Sequence, residues 1–396
     1  MNKDKHIIDI KNAIEKRQMS FIVGAGFSRN ISDHFPMWSD LLKPMAEELY
    51  GAGQYSDKTY LDIASEYVRR KGYHEAIDLY VEQHMPYLKK SQEGVYELYR
   101  NGVRIEENPD LTCHQALLAM GVKDIYTFNY DNALEMVGGV DKSDELRRKL
   151  QEDTICRNKL QERQKKYQEH YDAFCRIGTQ TAASLSGDET MQTQNSFRQS
   201  DNPYAKINDY VRSLGEGFKL FDENYNNEAH DQNLLELEKQ VNLLNNNINN
   251  YERDLRKHYQ LICQSYEISI TENRKNIYKL HGNLRKPDTK DCFGFDGDGH
   301  KQYIITREDY DDYPHKHEAF VNLMKIALLK GSFCLVGFSG DDPNFLAWIS
   351  WIKDVLDKNP DKGKRATIYF IHVGGNNISP DKLQLFKNHY ITPVIL

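Results

Sequence analysis

Met19-Ser20-Phe21-Ile22-Val23-Gly24-Ala25-Gly26-Phe27-Ser28 runs from a short apolar stretch straight into two glycines. Bounded in that way, Met19–Val23 reads as a buried strand and Gly24-Ala25-Gly26 as the tight turn after it. The pattern repeats outward along the chain. Residues 124–128 form a second strand with Asn129-Tyr130-Asp131 at its end, 277–280 a third leading into His281-Gly282, and 303–306 a fourth. Ser332–Val336 ends at Gly337-Phe338-Ser339, and the last strands are expected at 367–373 and Ile391–Ile395. Helical patterns lie between them. Trp38, Leu41, Leu42, Met45 and Leu49 share one face, 60–70 and 74–84 follow, Arg307-Glu308-Asp309 opens a helix running to Leu329, and 344–356 is helical. Strands alternating with helices predict an α/β fold built on a doubly wound, Rossmann-like parallel sheet.

The middle of the chain departs from this alternation. It is rich in Gln, Asn, Glu, Lys and Arg and has almost no strand signal. Leu237, Val241, Leu244, Ile248, Tyr251, Leu255, His258 and Ile262 are spaced alternately by three and four, a heptad seam. The asparagines at 245–247, 249 and 250 are poor helix formers, so the helix needs a packing partner. A second helix over 145–177 supplies one, and an antiparallel helical hairpin is expected. The polar stretch 184–202 between them reads as a mobile loop. The domain organisation that follows is a sheet domain in two halves, 1–140 and 276–396, separated by a helical insertion at 141–275.

Composition narrows the class. The 396 residues are 39% hydrophobic and 28% charged, enough apolar material for a folded core. No run approaches the roughly 18 apolar residues a membrane span needs, and the first eleven residues lack the apolar core of a signal peptide. Cys113, Cys156, Cys175, Cys263, Cys292 and Cys334 are scattered with no C-x-x-C pair, which suits reduced thiols in a cytoplasmic protein and no zinc ribbon. A net charge of −7 and a pI near 6.1 argue against direct nucleic-acid binding.

Four polar or glycine-rich clusters fall at strand ends, where open α/β sheets bind ligands. They are Gly24-Ala25-Gly26-Phe27-Ser28, Asn129-Tyr130-Asp131, His281-Gly282-Asn283, and Gly337-Phe338-Ser339-Gly340-Asp341-Asp342. Each alone is weak, since glycine turns often bind nothing and an Asn before a helix more often caps it than catalyses. Together they suit a dinucleotide. Gly24 and Gly26 would leave N–H groups free for phosphate oxygens at a helix N-terminus, although the third glycine of G-x-G-x-x-G is missing. Asp341 or Asp342 could accept ribose hydroxyls, His281 can act as a base, and Asn129 can orient a hydroxyl or water. Lys286-Pro287-Asp288 and Asp296-Gly297-Asp298-Gly299 read as turns, the latter lacking the terminal Glu of a calcium loop.

The set, in this order and strand context, resembles the sirtuin family, which carries G-A-G-x-S, then (S/T)-x-N-x-D, then His-Gly, then G-x-S. Here these are Gly24-Ala25-Gly26-Phe27-Ser28, Thr127-Phe128-Asn129-Tyr130-Asp131, His281-Gly282 and Gly337-Phe338-Ser339. The resemblance covers roughly 15–140 and 275–396. The four-cysteine zinc module of deacylating sirtuins has no counterpart, and Phe35-Pro36-Met37-Trp38 stands where their G-I-P-D-F-R loop would be. Phe35-Pro36-Met37-Trp38-Ser39-Asp40-Leu41-Leu42, the Asn-Tyr-Asp form at 129–131, Thr306-Arg307-Glu308-Asp309-Tyr310 and Gly337-x4-Asp342 look like the sirtuin-like effectors of bacterial anti-phage systems.

The resemblance implies hydrolysis of NAD to nicotinamide and ADP-ribose, with abortive loss of cellular NAD. It implies Asn129 and His281 as the catalytic pair, and Gly24, Ala25, Gly26, Phe27, Ser28, Asp131, Gly337, Ser339 and Asp342 as the residues around the dinucleotide. NAD is then the substrate, with no further cofactor and no metal expected. A catalytically silent NAD- or ADP-ribose-binding sensor or assembly module is the alternative. Because the sequence stops directly after the last strand, restraint is expected from a homo-oligomer, the insertion, or a separately encoded sensor or regulatory protein.

Overall fold

The computed structural model describes residues 3–185, 227–270, 274–284, 303–358, 367–374 and 378–396. The chain divides into two compact units, Met1–Asp144 with Arg256–Leu396, and Glu145–Leu255.

The first unit is built on seven parallel strands. They are β1 (Met19–Val23), β5 (Asp124–Thr127), β6 (Tyr259–Ile262), β7 (Lys275–Lys279), β8 (Ser332–Val336), β9 (Ile368–His372) and β10 (Ile391–Ile395), in the order β10-β9-β8-β1-β5-β7-β6. The chain winds outward from β1 in one direction through β5, then returns to β8 and winds outward in the other. The switch point therefore lies between β1 and β8, where such sheets form a ligand crevice. Register brings the strand ends level. Val23 pairs with Thr127 on one side and Val336 on the other, and Thr127 pairs with Lys279, so all four clusters leave the sheet at one edge.

Alternation along the strands fills both faces. Ile22, Tyr126, Phe333 and Leu335 pack with Phe320, Met324, Phe345 and Trp348, whereas Phe21, Val23, Ile125 and Ile277 pack with Leu117, Leu134 and Val140. Coverage on both sides is the usual condition of a parallel sheet. Above the strand ends, helices Trp38–Tyr50, Tyr60–Lys71 and Leu79–His84 form a third cluster around Met45, Ile63 and Val81. Thr59 starts the second of these with a capping box closed by Asp62.

Several local expectations change. Residues 303–306 are buried but pair with no strand among the described residues. Instead Ile304 N–H bonds the His281 carbonyl at 3.0 Å, and Thr306 caps the next helix with Asp309. The helix expected to run to Leu329 is two, Arg307–Lys316 and Glu318–Lys330, broken at His317 (φ −120°, ψ 33°) just after Pro314, which has no N–H to give. An antiparallel sheet of β2 (Tyr87–Lys90), β3 (Tyr96–Arg100) and β4 (Val103–Ile105) was not anticipated. Its signal was present: Asn101-Gly102, both at positive φ, is the favoured two-residue hairpin turn. Asn132 ties this sheet to the second cluster by bonding both main-chain groups of Leu88, at 2.8 and 2.9 Å.

The second unit consists of most of helix Val140–Leu185 and of helix Asn227–Leu255. Asn247 bonds Asp153, and Asn233 bonds the Tyr167 hydroxyl. One residue number falls by as much as the other rises, so the helices are antiparallel. Leu237, Val241, Ile248 and Leu255 of the seam are buried, with Leu244 and Tyr251 half-buried. The seam ends there. His258 lies past the helix and Ile262 lies on β6, so 256–275, placed with the insertion on sequence grounds, belongs to the sheet unit. The loop expected from 184 falls outside the described residues from 186 on, as do the turns at 286–288 and 296–299.

Candidate functional site

At the switch point the backbones after β1 and β8 touch. Gly24 N–H donates to the Val336 carbonyl at 3.1 Å and Gly26 N–H to the Gly337 carbonyl at 2.9 Å. A Cβ on Gly24 would stand 2.5 Å from that Gly337 oxygen, and one on Gly337, whose φ is +57°, would stand 2.0 Å from the Phe27 nitrogen. These glycines exist to let two turns cross in contact. The N–H groups of Gly24 and Gly26 themselves are therefore spent inside the protein, and neither is a donor left for a phosphate oxygen. Phe27 N–H likewise bonds the Gly24 carbonyl, and the Phe27 ring packs on His114 at 4.6 Å.

Beyond β5 the second cluster is held by a chain of hydrogen bonds. Thr127 Oγ1 donates to the Val23 carbonyl at 2.9 Å and accepts the Asn129 N–H at 3.0 Å. Asn129 Nδ2 donates to Ser28 Oγ at 3.1 Å, and Ser28 Oγ donates to Asp131 Oδ2 at 2.9 Å. Asp131 Oδ1 accepts the Ala133 N–H at the start of the next helix. Ser28 and Asp131 thus orient the Asn129 amide, whose own carbonyl oxygen has no hydrogen-bond donor among the described residues.

The third and fourth clusters meet differently. His281 is fully buried, its ring against Phe128 at 4.6 Å, Tyr310 at 5.3 Å and Tyr313 at 5.7 Å. Nε2 lies 3.2 Å from Asn344 Nδ2, and Nδ1 lies 3.7 Å from Asp342 Oδ2. The amide donates to Nε2, which places the ring proton on Nδ1, facing Asp342. Asp342 caps helix Pro343–Asp357 through the Phe345 N–H at 3.0 Å and accepts the Tyr310 hydroxyl at 2.8 Å. Burial lifts the Asp342 carboxyl to about 6 against those bonds. Burial, and secondarily His317, pushes His281 well below its ordinary value, so the imidazole is neutral at neutral pH.

A cavity of about 410 Å³ opens at this crossing. Of the residues singled out from sequence, Gly24, Ala25, Asn129, Gly337, Ser339, Asp341 and Asp342 line it. Gly26, Phe27, Ser28, Asp131 and His281 do not. His281 stands behind Asp342 and Tyr310 and not on the cavity wall beside Asn129. Trp38, Phe128, Tyr310 and Phe338, which stand inside the quoted motifs without a site role of their own, line it too, whereas Thr59, Tyr60, Leu61 and Pro343 carried no sequence signal for the site. Thr59-x-x-Asp62 was a legible cap, but nothing in it announced a wall. Among the described residues no group of three or more His, Cys, Asp or Glu is arranged to hold a metal, and no helix is long and apolar enough to cross a membrane.

Residues 237–394 match the SIR2-like domain, taking in His281-Gly282 and Gly337-Phe338-Ser339. The first two clusters lie outside that match and join it through the pairing of β1 and β5 with β8 and β7. Over 83 residues the chain is 31% identical to the NAD(+) hydrolase ThsA of Acinetobacter baumannii (strain 532279), an alignment covering 21% of this chain and 14% of that protein.

Proposed function

We propose that this chain, sirtuin-like in its SIR2-like domain and its parallel sheet, is an NAD glycohydrolase that converts NAD and water to nicotinamide, ADP-ribose and a proton. The observation that carries the reading is that Asn129 and Asp342 face one cavity at the switch point, with His281 directly behind Asp342. Nicotinamide leaves as a neutral ring from a cationic one, taking the electron pair of the C1′–N bond, so it needs no protonation. The ribose is left oxocarbenium-like, and what the protein supplies is position and charge. Asn129 orients a ribose hydroxyl or the attacking water through its open carbonyl oxygen. Asp342, ionised above about pH 6, accepts a ribose hydroxyl or the proton shed by water. His281 supports that charge from behind through its Nδ1 proton. No metal is invoked, because the leaving group already carries its charge.

The likeness to a protein named NAD(+) hydrolase supports the same activity here. We extend it to an abortive anti-phage role in the cytoplasm, in which depletion of NAD halts the infected cell. Restraint before infection would come from self-association or from a separately encoded sensor. One observation favours a rival reading, a silent NAD- or ADP-ribose-binding module: His281 does not itself reach the cavity surface. Incubating the full chain, its mass recorded by mass photometry, with NAD and with an acetyl-lysine peptide separates the readings. Release of nicotinamide and ADP-ribose without peptide is the expected result. Binding without turnover in every assembly state would sink the enzyme reading in favour of the module.

A further inference from the structure

Behind the site lies a buried lysine that the proposed chemistry does not use. Lys279 closes β7, paired in register with Thr127 at the end of β5. Its Nζ lies 3.0 Å from the main-chain oxygen of Asn129, donates also to that of Asp131, and stands 2.8 Å from Glu135 Oε1. Both side chains of the ion pair are 1% exposed. An ammonium has three N–H donors and no acceptor, and three oxygens meet it here. The carbonyl between, that of Tyr130, accepts the Leu284 N–H at 3.0 Å. Every main-chain oxygen of the Asn129-Tyr130-Asp131 turn is therefore held, two of them by one side chain.

Packing does not require such a pair. A buried ion pair is often replaceable by apolar side chains of similar volume with no loss of stability. Apolar side chains could not hold two carbonyls of a turn that has left the sheet ladder. The Asn129 amide hangs from that turn, and its Nδ2 is tied to Asp131 through Ser28. A shift of either carbonyl would move both ends of that chain.

We propose that Lys279 is a positioning residue: it clamps the Asn129 and Asp131 carbonyls and so fixes where the Asn129 amide meets the ribose, with Glu135 balancing its charge. This rests on the reading of Asn129 as the group that meets the substrate. The test uses the full chain carrying Lys279→Met together with Glu135→Leu, which removes both charges, keeps the buried volume and leaves no orphaned ion. With NAD as substrate, kcat should fall on the order of 10²-fold, the effect of small misplacements of a positioned group. KM should stay within about twofold, the sign of an interaction made in the transition state. Glu135→Gln, which keeps both carbonyl bonds, should retain more of kcat than the double variant.

Hydrogen–deuterium exchange gives a readout independent of turnover. Amides of 129–133 should exchange faster in the double variant while the other strands stay protected. A folded double variant with wild-type kcat overturns the proposal. So does a lower kcat with protection lost throughout, because that marks a purely structural role. If the wild type hydrolyses no NAD, the functional reading fails on its own and exchange still decides the clamp, with unchanged protection over 129–133 counting against it.

Discussion

The surroundings of Asn129 and of His281 solve opposite problems within one site. Around Asn129 the neighbours are polar and saturated: Thr127, Ser28 and Asp131 form a continuous chain of donors and acceptors. Around His281 they are aromatic, and the ring sits in Phe128, Tyr310 and Tyr313 with only an amide on one nitrogen. The first arrangement fixes a geometry, because each bond removes a degree of freedom. The second fixes a protonation state, because desolvation disfavours charge whatever the ring's orientation. Positioning and pKa tuning are thus divided between the cavity wall at Asn129 and the buried layer behind it at His281.

The largest test of this division is a pair of truncations. Asn129→Ala should abolish NAD turnover, by on the order of 10²-fold or more, yet cost only about 1 kcal/mol of stability, that of an ordinary hydrogen bond. His281→Ala should lose turnover and also open a void among three aromatic rings, lowering stability by roughly 2–4 kcal/mol. Turnover assays beside thermal melts distinguish them. Wild-type turnover in His281→Ala would reduce that ring to a packing element.

Next in size is the pH dependence of Asp342. Turnover should fall as pH drops through about 6, because the proposed mechanism works through the Asp342 carboxylate. Stability moves the other way. A carboxyl whose folded pKa is raised from 3.8 to about 6 contributes stability below pH 3.8 and loses it as pH rises through about 6. Asp342→Asn, which can still cap its helix, should therefore lose turnover and the acidic limb while melting higher than wild type at pH 7 to 8. The gain should be on the order of 2–3 kcal/mol, shrinking toward pH 4. Equal melting temperatures across that range would mean that burial does not hold the Asp342 carboxyl above its ordinary value.

The smallest effect is expected at Ser28. Ser28→Ala takes the acceptor from Asn129 Nδ2 and the donor from Asp131 without touching the cavity wall. A drop of roughly tenfold in kcat with KM little changed is expected. A rise in KM alone would instead make Ser28 a contact of the dinucleotide.

Legibility in the sequence followed the range of the interaction. The strands around Gly24, Asn129, His281 and Gly337 could be read because apolar run, glycine and polar end lie within ten residues of one another. Asn101-Gly102 is as local a signal, but it stands between strong helical patterns that mask the short strands it joins. The break at His317 was obscured by an apolar periodicity that continues across it, and β6 by a heptad spacing that outlasts its helix.

Sequence by itself determined that strands alternate with helices, that four clusters end strands, and that a heptad helix interrupts them. These are properties of periodicity and turn chemistry, which act over a few residues. Tertiary structure alone decided that Gly24 and Gly26 spend their N–H groups on β8 and the turn after it, that His281 stands behind Asp342, and that Lys279 reaches under the Asn129 turn. Each of those depends on which residues of distant strands are brought level by register. Register is set by the packing of both sheet faces together, and no short stretch of the chain carries it.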